Sequence, residues 1–133
     1  MKKTIQQFSK FALIGILNTA IDFVIYFFLT RYFVFWNEYK IITASCTFII
    51  ANLNSYLFNK FWTFQNKETK HHILYSKFFI ISLIGLGIND LLFSFVHYQF
   101  GFNDLLAKIM PIPVVMLWNF FANKYWTFKS RQN

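Results

Sequence analysis

Two aspartates stand where an ionised group is costly. Asp22 lies near the middle of the apolar run Phe11 to Thr30, one turn after Asn18, and Asp90 lies near the middle of a later apolar run, beside Asn89. A carboxylate at bilayer depth is rare and by default marks a functional position, and no Lys or Arg stands at either depth to pair with it. Two further runs carry amides. Asn52, Ser55 and Asn59 fall at i, i+3 and i+7 on one helical stripe with Asn54 off it, and Asn119 and Asn123 fall at i, i+4. Carboxylates and amides bond the hydroxyls of a polyol, so these nine residues, with Asn54 left aside, predict a hydrated pocket between apolar helices, opening toward the cytoplasm. The bland alternative is that each Asn only bonds across a helix pair, worth about 1 kcal/mol. No nucleophile–base set, glycine-rich phosphate loop or carboxylate pair at catalytic spacing accompanies them, so an enzyme is not expected. His71-His72 lacks converging ligands, and Cys46 sits in an apolar stretch as a small hydrophobe. Neither a metal nor a cofactor is expected.

A second set of residues is written twice. Asn59-Lys60-Phe61-Trp62-Thr63-Phe64 returns 64 positions later as Asn123-Lys124-Tyr125-Trp126-Thr127-Phe128. Each copy closes an apolar run, with Trp62 or Trp126 suited to headgroup depth and Lys60 or Lys124 suited to lipid phosphates. Lys10-Phe11 and Lys77-Phe78 match in the same way at an offset of 67. Lys10, Lys60, Lys77 and Lys124 are therefore the candidate phosphate contacts.

The elements that must position these groups are long apolar helices. Of 133 residues, 56% are hydrophobic and 14% charged, with mean hydropathy +0.40, whereas a soluble domain carries about 25% charged residues. Four transmembrane helices are expected at about 11–30, 41–61, 78–98 and 105–125, the last carrying Pro111 and Pro113. The whole chain, 1–133, reads as one integral membrane domain, an all-α protein of two parallel helical-hairpin repeats, about 10–64 and 77–128. The net charge of +8 sits in clusters beside the apolar runs, which favours anionic headgroups over nucleic acid. Ten cations, Arg131 among them, lie at the helix ends shared by the termini and the central connector, against Arg31, Lys40 and Lys108 at the other ends. That bias places both termini in the cytoplasm. It also argues against the small dual-topology multidrug exporters, which need almost no bias.

At this point a family resemblance emerges. Lys-Phe-x-x-x-Gly-x-x-Asn-Thr-x-x-Asp from Lys10 to Asp22, with the two Asn-Lys-aromatic-Trp-Thr-Phe helix ends, resembles the GtrA-like family of small four-helix membrane proteins. The resemblance covers about residues 8 to 129; the family usually has Arg where Lys60 and Lys124 stand. It implies a multi-pass protein of the bacterial cytoplasmic membrane that flips a polyprenyl-phosphate-linked monosaccharide outward for cell-surface polysaccharide or teichoic-acid glycosylation. The implied partners are that lipid-linked sugar, membrane lipids and membrane glycosyltransferases. Four helices barely enclose a hexose, so a homo-oligomer is expected. Two other readings remain open: a non-transporting partner of a glycosyltransferase, and a small cation-coupled exporter with Asp22 or Asp90 as proton carrier.

Overall fold

The computed structural model describes residues 1–129; Arg131 of the cation count lies outside them. Among the described residues six α-helices run in chain order: α1 Lys2–Tyr32, α2 Val34–Glu38, α3 Lys40–Phe58, α4 His71–Ser94, α5 Asp104–Ile109 and α6 Pro111–Ala122. Three of them continue into a wider π-helical turn: α3 into Asn59–Thr63, α4 into Phe95–Gln99 and α6 into Asn123–Thr127. No strand occurs among the described residues. Four stretches are long and apolar enough to cross a membrane: Lys2–Tyr32, Lys40–Thr63, His71–Gln99 and Leu106–Thr127. Only 11% of the apolar window of α1 is buried by protein. A surface carrying Phe23, Val24, Phe27 and Phe28 exposed in a row suits hydrocarbon and not water.

The helices exceed their expected bounds at the polar ends. The first begins at Lys2 and the third at His71, because Lys and Gln are good helix formers once a long apolar run has nucleated the helix. The fourth span keeps a helical backbone through Met110 (φ −59°, ψ −36°), but its hydrogen-bond ladder is interrupted there, between α5 and α6. Pro111 has no N–H for the carbonyl four residues back, and its ring crowds that carbonyl; Pro113 is harmless within the new first turn. The connector between α1 and α3 contains α2, entered through an extended Phe33.

The chain divides into two compact units, Met1–Lys67 and Glu68–Asn133. In the first unit α1 packs along α3; in the second α4 packs along α6. The buried positions recur. Phe11, Ile14 and Asn18 of α1 correspond, 67 positions on, to Phe78, Ile81 and Gly85 of α4, and all six are buried. Thr43, Thr47 and Tyr56 correspond, 64 positions on, to Ala107, Pro111 and Phe120, again all buried. The ring pair Phe11–Phe64 (6.3 Å between centroids) likewise has its counterpart in Phe78–Phe128 (6.0 Å).

Candidate functional site

The twin motif is first a piece of backbone engineering. In each copy the Asn opens a π turn whose closing bond runs from Phe64 N–H to the Asn59 carbonyl (2.9 Å) or from Phe128 N–H to the Asn123 carbonyl (2.8 Å). The Asn side chain staples that turn. Asn59 Nδ2 donates to the Ser55 carbonyl (2.9 Å) and to Ser55 Oγ (3.2 Å), and Oδ1 accepts from Thr63 Oγ1 (2.9 Å). Asn123 donates to the Asn119 carbonyl (2.7 Å) and accepts from Thr127 Oγ1 (2.9 Å). Both amides are thus engaged within their own helices and bordered by buried Thr hydroxyls.

The four candidate phosphate contacts separate into two kinds. Lys60 is buried, and its Nζ donates to the Asn66 carbonyl (3.0 Å) while Asn66 N–H donates to the Lys60 carbonyl (2.8 Å). Gln65, at φ 49°, supplies the left-handed bend that folds the connector back onto the helix end. The sequence placed the Lys60 ammonium at lipid phosphates; in the structure it instead bonds a connector carbonyl from inside, pinning the bend to the helix end. Lys124 is half-buried, over the rings of Phe120 and Tyr125; the position matching Asn66 is residue 130, outside the described residues. Lys10 and Lys77 are the half-buried cations laid over the motif tryptophans, 5.2 Å from the Trp62 ring centre and 5.4 Å from that of Trp126. Lys10 also makes a long 3.5 Å contact with the Trp62 carbonyl.

Above Trp62, unit 1 contains an apolar groove of about 800 Å³ between α1 and α3, walled by Leu13, Leu17, Ile21, Leu57 and Phe58. Its polar floor is a pair of amides: Asn54 Nδ2 donates to Asn18 Oδ1 (2.8 Å), and Asn18 Nδ2 donates to the Ile14 carbonyl (2.9 Å). That chain leaves the Asn54 side-chain oxygen and one N–H on each amide without a partner among the described residues, open to a polar ligand. Asn54, left aside on sequence, is therefore a groove residue. The signal was present: Thr47, Ala51 and Asn54 follow a four–three spacing on the seam facing α1. Asp22 is half-buried in α1 with no hydrogen-bond or ion-pair partner among the described residues.

The remaining candidates do not line this groove. Asn52 is buried in α3, and Ser55 serves Asn59. Asn89 reaches its neighbour Asp90 at 3.4 Å, and Asp90 is exposed on α4. The Asn119 Oδ1 atom is buried, has no hydrogen-bond partner among the described residues and lies against Gly85, 2.8 Å from where a Cβ would stand. In unit 2 the positions matching Asn18 and Asn54 are Gly85 and Trp118. The Trp118 indole N–H reaches the Ile81 carbonyl (3.1 Å), the counterpart of the Ile14 carbonyl that Asn18 bonds. One unit thus offers two amides where the other is filled by a ring. Unit 2 carries a basic pocket of about 350 Å³ instead, with Lys70, Lys77 and Lys129 beside Glu68, Tyr125 and Trp126.

Lys10, Asn18 and the twin helix ends lie within one contiguous match, residues 10–128, to the family described as "GtrA/DPMS, transmembrane domain". The chain belongs to that family. Among relatives, the uncharacterized membrane protein YngA of Bacillus subtilis (strain 168) is 30% identical over 128 residues, covering 96% of this chain and 83% of its own. The uncharacterized membrane protein YwcD of the same organism is 27% identical over 123 residues, covering 90% of this chain and 94% of its own. No solved structure matches. The GtrA/DPMS match and the four spanning helices make the chain a multi-pass membrane protein.

Proposed function

We propose that this GtrA/DPMS-family chain translocates a polyprenyl-phosphate-linked monosaccharide across the bacterial cytoplasmic membrane, without bond chemistry of its own, for glycosylation of cell-surface polysaccharide or teichoic acid by a separate membrane glycosyltransferase. The observation that carries this reading is the unit 1 groove: apolar walls, two partly unsatisfied amides on the floor, and the Lys10–Trp62 pair at one end. A polyprenyl tail needs only the apolar walls. The sugar hydroxyls need donors and acceptors away from water, which Asn18 and Asn54 supply. The phosphate needs a cation at headgroup depth. Asn18 stands eight residues beyond Lys10 along α1, about 12 Å at 1.5 Å per residue, which sets the amides inward of the lysine. Asp22 stands one further turn inward. Both termini lie in the cytoplasm in this reading, and a homo-oligomer supplies the rest of the enclosure.

The test is a lipid-sugar pool measurement with Asp22→Asn and with Asn18→Leu. Translocation predicts intact expression, a fall in outer-leaflet lipid-linked sugar and a rise in the cytoplasmic lipid-sugar pool. A fall in both pools would make the chain a support for the glycosyltransferase, and normal pools with lost resistance to cationic dyes would make it an exporter.

A further inference from the structure

The opposite end of unit 1 carries a polar recess that the charge bias had treated only as a minority count. It has a volume of about 460 Å³ and is lined by Tyr26, Thr30, Arg31, Asn37 and Lys40, with the rings of Phe23 and Phe27 as its apolar wall. Arg31 lies against the Phe27 ring at 5.4 Å. Neither Arg31 nor Lys40 has an ion-pair partner among the described residues, and no carboxylate lines the recess. The Thr30 hydroxyl is turned back onto the Tyr26 carbonyl (2.9 Å). The outward donors are therefore the Arg31 guanidinium, the Lys40 ammonium, the Asn37 amide and the Tyr26 hydroxyl. Two charged and two neutral donors, with no acceptor of negative charge among the lining side chains, match a phosphate.

Position supports the same assignment. Arg31 follows Lys10 by 21 residues on α1, and Lys60 follows Lys40 by 20 along the next span. Both intervals are about 30 Å of helix, the thickness of a bilayer's hydrocarbon core. Each spanning helix of unit 1 thus carries a cation near both ends, with Lys60 turned inward onto the connector at its own. Unit 2 does not repeat the device: the positions matching Arg31 and Lys40 are Tyr98 and Asp104. The recess falls in the same unit as the Asn18–Asn54 groove.

We infer that this recess is a phosphate-binding site at the second headgroup level, receiving the phosphate group of a lipid. The inference deepens the translocation reading and rests on it for its role, as the place where the headgroup arrives; its binding chemistry stands on the recess alone. Full-length protein in dodecyl maltoside micelles, which contain no phosphate, is titrated with short-chain phosphatidic acid, and binding is followed by phosphorus NMR. Replacing both cations in Arg31→Gln/Lys40→Gln should weaken binding about tenfold or more. The exchange Arg31→Lys/Lys40→Arg, which keeps both charges, should retain most of it. Competition by inorganic phosphate assigns recognition to the phosphate group itself, and its failure to compete assigns it to the lipid-borne headgroup; either outcome supports the site. Unchanged affinity in the neutral double variant overturns it, as does loss of binding in the folded exchange variant. The titration contains no sugar and no translocation step, so it can succeed while the pool assay fails, or fail while that assay succeeds.

Discussion

Removing the Asn staple from either copy of the motif should cost the same amount. In Asn59→Ala the helix end loses the bonds from Nδ2 to Ser55 and the acceptor for Thr63 Oγ1. An ordinary internal hydrogen bond contributes about 1 kcal/mol net, and a buried hydroxyl left without an acceptor costs about 1–3 kcal/mol. Thr63 is buried, so the penalty applies, and the sum is about 2–4 kcal/mol. Asn123→Ala breaks the equivalent bonds to Asn119 and from Thr127, with Thr127 equally buried, and should fall in the same range. The assay is thermal unfolding of detergent-solubilised protein followed by size-exclusion chromatography. Thr63→Val combined with Asn59→Ala should recover part of the loss, because the stranded hydroxyl is gone. A loss below about 0.5 kcal/mol in both single variants, within the range of an ordinary surface substitution, would refute the staple.

Three further outcomes follow from the same geometry. Lys60→Ala should destabilise by about 2 kcal/mol, the worth of a buried bond from a charged donor, whereas Lys10→Ala should leave the melting temperature nearly unchanged and weaken binding of a lipid phosphate; thermal scans and lipid titration separate the two. Gly15→Ala, with open space around its Cβ, should stabilise by up to about 1 kcal/mol, while Gly85→Ala must displace the Asn119 amide 2.8 Å away and should gain nothing or lose stability in the same scan. In a Cys46→Ala background, a single Cys at Asn37 should be labelled in intact cells and one at Ser76 only after permeabilisation; the reverse pattern would overturn the inward placement of the termini.

The spans were legible because twenty apolar residues leave few alternatives, and the return of Asn59 to Phe64 as Asn123 to Phe128 could be read directly. The roles of single polar residues were harder. A stripe calculation assumes 3.6 residues per turn throughout, yet the motif itself is π-helical. It also assumes that an amide on a stripe faces a ligand, when Asn59 and Asn123 bond their own helices. Lys60 looked like Lys10 because charge and position along the helix were all that could be read; its burial depends on the left-handed Gln65, which no local propensity announces. The interrupted hydrogen-bond ladder at Met110 was signalled by Pro111, and the helical Met110 backbone carries the span across it.

A π turn holds one residue more than an α-helix needs over the same rise. It therefore takes up one extra residue without turning the chain beyond it, and the buried Asn holds that residue in place from within. Deleting Phe61 would let α3 close into α register and leave the chain beyond it at nearly its present azimuth. A further inserted residue, which the staple has no room to take up, would turn everything after it by about 100° around the axis. The same holds at Tyr125, so in both units the helix end tolerates the loss of a residue better than the gain of one.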